Sequence, residues 1–551
     1  MPKRTEEKPT YDYNIYRIDV QKADEFKDFL EECRFEEIPL KDFMISEPNG
    51  FSFELMFCDK DNKKGSPWVR LLSECSEWDL TQELKIYGAA LICRNTTSCF
   101  IVSYGNAHFY LSNYCDYNFG IQIAERLLNL ESVKAQQNIS HGGKLSKTHI
   151  DYLNGATLAY RGGEIPTYIK GSTINEDIWG KSINCGTSAQ FKWEEKPLAL
   201  GKKLTLLEEA LNTEANISLP RLIALDDDND SDKINELFSL LSKAIDEYNA
   251  ETSKFSFINV PSFYLVGTKI IQNDSVKYKL TCDRKHSEYD GELSIAAIKN
   301  FLSEKNLDIY TSVRNIKLSV EYGNDQWTPY KPLTEYLEFI TEDNFCLRNG
   351  RWCSFNNSYI EQVFRDVSRV DFVNHTENDW EFNKENLIAY AKDRGVFSDS
   401  GLQQYETYYN YKLAEALNAV LVHPITMPVD ETANRRYRYE VCDFVAENDM
   451  YFVKIGSPSD FAYAVDQASL TLSKLQVGNG KIKLPDDNEM YPRAFHLVLV
   501  CEGRKRIIKK WQDIYSINFL IHLADLKQSL NNMNISLIVD FAYDIANTQD
   551  T

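Results

Sequence analysis

The sequence has no long apolar run and no closely spaced cysteine pair. None of its hydrophobic segments approaches the roughly 20 residues that a membrane-spanning helix needs, and its first ten residues are polar and charged, without the apolar core of a signal peptide. The 12 cysteines are scattered, with no CxxC spacing, which argues against zinc ribbons and disulfide scaffolds. We therefore expect a soluble, cytoplasmic protein whose cysteines are buried free thiols.

Common catalytic and nucleotide-binding motifs are also missing. The sequence has no phosphate loop, no Rossmann fingerprint, no G-x-S-x-G elbow and no HExxH. Two histidines near an aspartate, His141, His149 and Asp151, match no metal-site spacing, and the acidic run around residues 226–232 is better explained by helix capping than by calcium binding. Function therefore has to come from residues that are distant in sequence or from a less common motif.

The charge is strongly acidic but unevenly distributed. The formal net charge is -21, which argues against broad, nonspecific affinity for nucleic acid. From residue 391 onward there are 17 basic against 21 acidic residues, so most of the acidic excess lies earlier. Two basic clusters stand out in the last third and are candidate nucleic-acid contacts, although such clusters are more often solvated loops: Arg435, Arg436 and Arg438, and Arg504, Lys505, Arg506, Lys509 and Lys510.

At 551 residues the chain is too long for a single core. The pattern of short strands, turns and amphipathic helices predicts a multidomain α+β protein, with antiparallel sheets in a first domain over residues 1–200 and a middle domain over 201–390. Over residues 391–551, near-continuous apolar strands separated by helices predict a parallel α/β sheet. His496 and His522 lie among apolar residues there and are interpreted as core histidines rather than catalytic ones.

The stretch from 405 to 467 contains the candidate catalytic motif. It reads as a helix, a strand ending at Asp443, a polar turn, a second strand carrying Lys454, and an amphipathic helix carrying Gln467. This order of parts resembles the PD-(D/E)xK nuclease core, in which acids and a lysine converge on divalent ions and a water. The resemblance implies a restriction-endonuclease-like C-terminal domain.

One expected acid is missing from this order. Residues two apart on a strand share a face, so an acid should accompany Lys454 at position 452, where the sequence has Phe452. Glu440 on the first strand, or Glu406 and Glu415 on the preceding helix, are candidates to supply the oxygen instead. The hypothesis is that Asp443 and a nonstandard acid, Glu440 or Glu415, hold Mg²⁺ or Mn²⁺. Lys454 would position the water and Gln467 would steady the phosphate. An ordinary strand pair with solvated Asp, Lys and Gln residues remains the competing interpretation.

Several segments together resemble a sporadically distributed prokaryotic family of unknown function. They include SYGNAHFYL, YRGGEIP, LRNGRWCSF, YYNYKLAEAL, YEVCDFV and YFVKIGSPSDFAYAVDQA. The resemblance implies a role in defence against phage or foreign DNA. It gives as positions to test Glu440, Asp443, Lys454 and Gln467.

Two main functions remain open at this stage. The first is a metal-dependent nuclease of DNA or RNA, in which the three arginines from Arg435 to Arg438 track the backbone and a homodimer is plausible. The second is a catalytically degenerate protein that binds nucleic acid or senses a defence partner through the same surface. A third, less favoured, is an acidic decoy that mimics DNA.

Overall fold

The computed structural model of the chain divides into two compact units. The first comprises Met1–Ile139, Lys147–Tyr160 and Ile165–Arg221, and the second comprises Ser140–Ser146, Arg161–Glu164 and Leu222–Thr551. The structure describes residues 9–41, 50–62, 84–111, 114–140, 146–161, 163–227, 229–247, 257–258, 263–266, 269–272, 277–290, 295–320, 327, 330–341, 343–348, 350–397, 405–422, 426–428, 438–458, 460–484, 488–502, 507–514 and 516–544.

The first unit is built on a ten-stranded sheet. Its strands are β1 Tyr11–Ile18, β2 Glu36–Ile38, β3 Ser52–Asn62, β4 Leu84–Arg94, β5 Cys99–Gly105, β6 Leu128–Ser140, β7 Ser146–Ala156, β8 Glu164–Thr173, β9 Ser182–Cys185 and β10 Ala189–Trp193. They follow the order β2-β3-β4-β5-β1-β10-β9-β8-β6-β7. Its helices are α1 Ala23–Glu32, α2 Phe119–Leu127, α3 Glu176–Trp179 and α4 Gly201–Asn212.

Around β4 and β5 both faces of this sheet are covered, because successive residues alternate between two apolar cores. Phe100 packs in the core that contains α2, whereas its neighbour Ile101 packs in the core that contains Phe26 and Leu30 of α1. The alternating pattern of residues 11–20 predicts an opening strand and residues 23–33 predict a helix, and β1 and α1 confirm both.

Two segments of this unit differ from what their sequence suggests. Residues 130–200 are polar and dotted with glycines, yet they supply most of β6 and all of β7, β8, β9 and β10. The apolar periodicity of residues 119–131 predicts a helix over the whole segment, but the helix ends at Leu127, because Leu128 already has extended backbone and begins β6.

The second unit begins with small antiparallel sheets and helices. Its first strands are β11 Leu222–Ala224, β12 Phe257–Ile258, β13 Phe263–Val266, β14 Lys269–Gln272, β15 Lys277–Cys282, β16 Lys285–Asp290, β17 Lys317–Val320, β18 Lys331–Pro332, β19 Leu337–Ile340, β20 Phe345–Arg348 and β21 Arg351–Phe355. The helices here are α5 Ser231–Asp246, α6 Ile295–Glu304, α7 Ile309–Ser312 and α8 Asn357–Val367. The sequence pair Asn349–Gly350 between two apolar runs predicts a hairpin, and this is confirmed, since β20 pairs with β21 in antiparallel register.

A six-stranded mixed sheet forms the rest of this unit. The remaining strands are β22 Asp371–Asn374, β23 Val420–Leu421, β24 Thr426–Pro428, β25 Arg438–Glu440, β26 Phe444–Ala446, β27 Asp449–Gly456, β28 Ile482–Lys483, β29 Glu489–Met490, β30 Ala494–Cys501 and β31 Ser536–Tyr543. The remaining helices are α9 Lys384–Asp393, α10 Tyr405–Ala416, α11 Phe461–Val477 and α12 Ile517–Asn531. The sheet order is β22-β31-β30-β27-β26-β23.

The predicted parallel α/β arrangement is confirmed in this sheet. Strands β27, β30, β31 and β22 pair in parallel, and α11 and α12 connect β27 to β30 and β30 to β31. On one face Val453, Val498 and Val500 pack in a core with α9 and α10. Parallel pairing needs a crossover connection, which explains why apolar strands alternate with helices in this part of the sequence.

The prediction of a continuous strand leading to Asp443 was wrong. The strand β25 ends at Glu440 and pairs with β24 in a separate two-stranded sheet, whereas β26 begins at Phe444. Residues 441–443 lie between the two strands. Asp443 therefore precedes the hairpin β26–β27 instead of ending a strand.

The described cysteines are all free thiols, and all but Cys33 are buried. Burial raises the pKa of the Cys442 thiol, and the neighbouring Asp443 and Glu440 charges raise it further, so we expect this thiol to be unreactive. Within the described ranges, no helix combines the length and the apolar character needed to cross a membrane.

Candidate functional site

Asp443 is a buried residue that binds the backbone of β27. The residue is only 3% exposed. The carboxylate accepts a hydrogen bond from the Val453 backbone N–H at 2.8 Å and another from the side-chain amide of Asn410 on α10. The Asp443 backbone also joins the hairpin, because its N–H donates to Tyr451 O at 2.9 Å. The carboxylate therefore contributes to how α10 and β27 are held together.

Lys454 lies near the carboxyl end of β27, where it forms an ion pair with the preceding helix. Its Nζ is 3.1 Å from Oε2 of Glu406 in the first turn of α10. The same carboxylate accepts a hydrogen bond from the Ile455 N–H at 3.3 Å. Lys454 Nζ also lies 4.7 Å from the ring centroid of Tyr463 on α11. The Lys454 and Glu406 side chains are 23% and 34% exposed, so both are accessible to solvent.

Gln467 contacts Glu440 one helical turn beyond Tyr463. Its Nε2 is 3.4 Å from Oε2 of Glu440, and one further turn along α11 Thr471 Oγ1 donates to Val441 O at 2.6 Å. Residues four apart on a helix lie on the same face, so Tyr463, Gln467 and Thr471 form one row along α11. The polar strip is defined as two residues of this row and the three residues linked to them by the contacts above, all partly or well exposed: Glu406, Glu440, Lys454, Tyr463 and Gln467.

Phe452 and Glu415 lie elsewhere. Phe452 is fully buried, with its ring 5.1 Å from that of Phe495 on β30, so a carboxylate at that position would be desolvated. Glu415 accepts a hydrogen bond from Tyr390 Oη at 2.7 Å and forms an ion pair with Arg394. These partners tie Glu415 to α9.

Most of the predicted basic residues lie outside the described part of the chain. This applies to Arg435, Arg436, Arg504, Lys505 and Arg506, and to the side chain of Arg438, whose backbone begins β25. Lys509 and Lys510 are described and exposed. Their backbone N–H groups donate to the Asp513 carboxylate at 2.9 and 3.2 Å.

A second polar cluster was missed at the sequence level. Asp540 on β31 is 3% exposed, yet its carboxylate contacts Nε2 of His375 at 2.8 Å and Nδ1 of His496 at 2.7 Å. Burial alone would raise the Asp540 pKa, but the hydrogen bonds to the two histidines outweigh it, and the pKa lies below its ordinary value. The histidine rings stack on Trp380 and Tyr451, with centroids 3.7 and 4.4 Å apart.

A polar residue inside a strand that is otherwise apolar could have indicated this cluster, because a buried polar group needs a partner. His496 and Asp540 are such residues in β30 and β31. His522 is also buried and contacts Asp466 at 2.9 Å. Both histidines that were interpreted as core residues are thus held by carboxylates.

Asp443 and Glu440, the metal ligands proposed from the sequence, differ in their burial. Asp443 fits Mg²⁺ poorly as it stands, because its buried carboxylate already accepts the Val453 and Asn410 hydrogen bonds. Glu440 is more accessible and lies beside Gln467. Over the described ranges, no group of three or more His, Cys, Asp or Glu side chains is arranged to hold a metal ion.

Comparisons with known proteins give a family but no activity. No curated protein and no solved structure matches the chain. The profile of a family of unknown function (DUF6119) matches residues 13–476, a span that contains the whole polar strip. Because this match covers most of the sequence, the chain belongs to that family of unknown function.

Proposed function

We propose that the C-terminal sheet is a restriction-endonuclease-like core and that the protein is a nuclease acting through the polar strip. The observation that carries this proposal is the partly exposed ion pair between Lys454 and Glu406, with 3.1 Å between Nζ and Oε2. It lies near the carboxyl end of β27, which pairs in parallel with β30. Binding sites in open α/β sheets lie beyond the carboxyl ends of parallel strands.

The surrounding architecture supports the proposal. A helix carrying an acid (α10) precedes a hairpin (β26–β27), a crossover helix (α11) and a strand parallel to β27 (β30). This is the order of parts expected from the PD-(D/E)xK resemblance. The acid that usually accompanies the lysine on its own strand is replaced, in this proposal, by Glu406 from α10.

Four residues of the strip have a definable task. Lys454 orients the attacking water and offers a positive charge to the phosphate, and Glu406 fixes the position of the Lys454 ammonium through their ion pair. Gln467 donates a hydrogen bond to a phosphate oxygen, and Glu440 orients the Gln467 amide. A divalent ion would supply Lewis-acid polarisation of the phosphate when bound. The buried Asp443 carboxylate is not presented as a ligand for such an ion, because it accepts the Val453 and Asn410 hydrogen bonds.

A second candidate is a protein that binds nucleic acid without cleaving it. The burial of Asp443 favours this function, since a carboxylate that serves packing is removed from catalysis. In this case the same strip would bind the backbone, with Lys454 neutralising a phosphate. For either candidate, we propose a role in prokaryotic defence against phage or foreign nucleic acid.

The test is cleavage of plasmid DNA and of single-stranded RNA with Mg²⁺ or Mn²⁺, with binding of the same substrates measured in parallel. The variants are Lys454→Met and Glu406→Gln. The matched controls are Lys384→Met and Glu415→Gln, which alter exposed ion pairs outside the strip. We expect a loss of cleavage of at least about 100-fold in both strip variants and little change in the controls.

The binding measurements separate the two candidates. Cleavage that is lost in Lys454→Met while substrate binding persists supports the nuclease. Binding without cleavage in the wild type, weakened by Lys454→Met and not by Lys384→Met, supports the binding protein. Equal behaviour of the strip variants and their controls in both assays would refute both. For the defence role, we expect the protein to reduce phage plaque formation and Lys454→Met to abolish that reduction.

A further inference from the structure

Strands β6 and β8 of the first unit are antiparallel neighbours with a definable register. Ser132 Oγ lies 3.3 Å from Ser172 Oγ, and Thr167 Oγ1 donates to Gln137 O at 3.2 Å. Moving forward along β6 therefore corresponds to moving backward along β8. Counting from Ser132 and Ser172 places the residue at 134 opposite the residue at 170.

Both of these positions are lysines. Residues directly opposite on antiparallel strands point to the same face, with Cβ atoms about 4.5–5.5 Å apart. Lys134 and Lys170 therefore project side by side from the sheet. Two like charges in such a pair repel each other and destabilise the sheet.

The lysine pair lines a cavity of about 300 Å³. Its other walls come from β6 and β7 and include Ser132, Asp151, Tyr152 and Asn154. The volume lies at the lower end of the range for small-molecule sites. The lining includes a hydroxyl, a primary amide and a tyrosine ring.

Among the described residues, no carboxylate forms an ion pair with the ammonium group of Lys134 or of Lys170. The one acid in the cavity lining, Asp151, is 77% exposed and lies 3.4 Å from His149. Two unpaired lysines on one face are notable in a chain whose formal charge is -21, because acidic partners are abundant.

We propose that this cavity binds the polyphosphate group of a nucleotide-sized ligand. A group carrying two or more negative charges between Lys134 and Lys170 would convert their repulsion into two attractive contacts. Ser132 and Asn154 add hydrogen-bond donors for phosphate oxygens, and Tyr152 offers an aromatic surface to the organic part. The cavity lies in the first unit. Its assignment does not depend on the nuclease proposal.

Calorimetric titration of the full-length protein tests this site, using pyrophosphate and ATP in the presence of EDTA so that a divalent metal cannot contribute. The variants are Lys134→Gln and Lys170→Gln. The matched control is Lys192→Gln on β10 of the same sheet, an exposed lysine 3.8 Å from Asp12. We expect saturable binding by the wild type and the control, and about tenfold or greater weakening in each cavity variant.

Stability without ligand gives an independent readout. Because each cavity variant removes like-charge repulsion, we expect its unfolding midpoint to equal or exceed that of the wild type, and we expect pyrophosphate to stabilise only the wild type and the control. The absence of saturable binding, or equal affinity in the cavity variants, would overturn the proposal. Binding of a short DNA oligonucleotide through these lysines without any response to pyrophosphate or ATP would overturn the assignment to a small ligand.

Discussion

Replacing Asp443 by asparagine separates a structural role of this carboxylate from a chemical one. The substitution keeps the shape of the side chain but removes its charge and replaces one acceptor oxygen by an NH₂ group. Asp443 accepts two hydrogen bonds, from Val453 N–H and from Asn410 Nδ2. An asparagine can accept only through its single oxygen, so one of these two donors loses its acceptor.

The size of the effect follows from the burial of the site. Hydrogen bonds to a charged acceptor contribute about 1.5–3 kcal/mol each and neutral ones about 0.5–1.5 kcal/mol, and a buried unsatisfied donor costs about 1–3 kcal/mol. We therefore expect Asp443→Asn to destabilise the C-terminal sheet by about 2–4 kcal/mol. For Lys454→Met, which breaks a partly exposed ion pair, we expect about 0–1 kcal/mol.

Hydrogen exchange of the Val453 amide is the appropriate assay, because a single unfolding free energy is poorly defined for a protein with two units. We expect faster exchange of this amide in Asp443→Asn and little change in Lys454→Met. A variant that keeps the Val453 protection of the wild type and loses only substrate cleavage would refute the structural reasoning. The carboxylate would then act in the chemistry.

Two further predictions concern the buried histidine–carboxylate pairs. The lowered Asp540 pKa means that its contribution to stability is present above about pH 4 and is lost as the pH falls through the folded-state value. In hydrogen exchange of the β31 amides, we expect clearly weaker protection in Asp540→Asn than in the wild type at pH 7, and we expect this difference to narrow below pH 4. Burial lowers the His522 pKa, but the hydrogen bond to Asp466 outweighs it and the pKa is raised. That contribution is fully present below about pH 6.5 and is lost at higher pH, so His522→Gln should lose more stability at pH 6 than at pH 9, and an equal loss at both would contradict this assignment.

The C-terminal sheet was predictable because its signals are local and repeated. The apolar runs that became β30 and β31 flank a segment with helical periodicity, and only a crossover brings such strands together in parallel. The hairpin β20–β21 was predictable for a similar reason, since a turn signal lies between two short apolar runs.

The strands of residues 130–200 could not be recognised because their interior is partly polar. On β6, Gln136 and Asn138 are buried, and both donate side-chain hydrogen bonds to Ala159 O. Buried amides interrupt the apolar alternation by which a strand is recognised. Only the tertiary fold supplies the carbonyl that satisfies them.

The candidate site was predictable in its residues and less so in their partners. Lys454 contacts Glu406, and Gln467 contacts Glu440, within the polar strip. The role of Asp443 depends on Asn410, which lies 33 positions earlier in the chain. A contact over that separation leaves no periodicity in the sequence.

The two carboxylates that contact β27 also protect its edge. Pairing of β26 with β27 extends only as far as Tyr451, and beyond that point the N–H groups of Val453 and Ile455 donate to Asp443 and Glu406. Unpaired strand edges invite other chains to add a strand, and this is a common route to aggregation. Asp443 and Glu406 occupy those donors with side chains, so the part of β27 beyond Tyr451 does not offer the Val453 and Ile455 N–H groups to another strand.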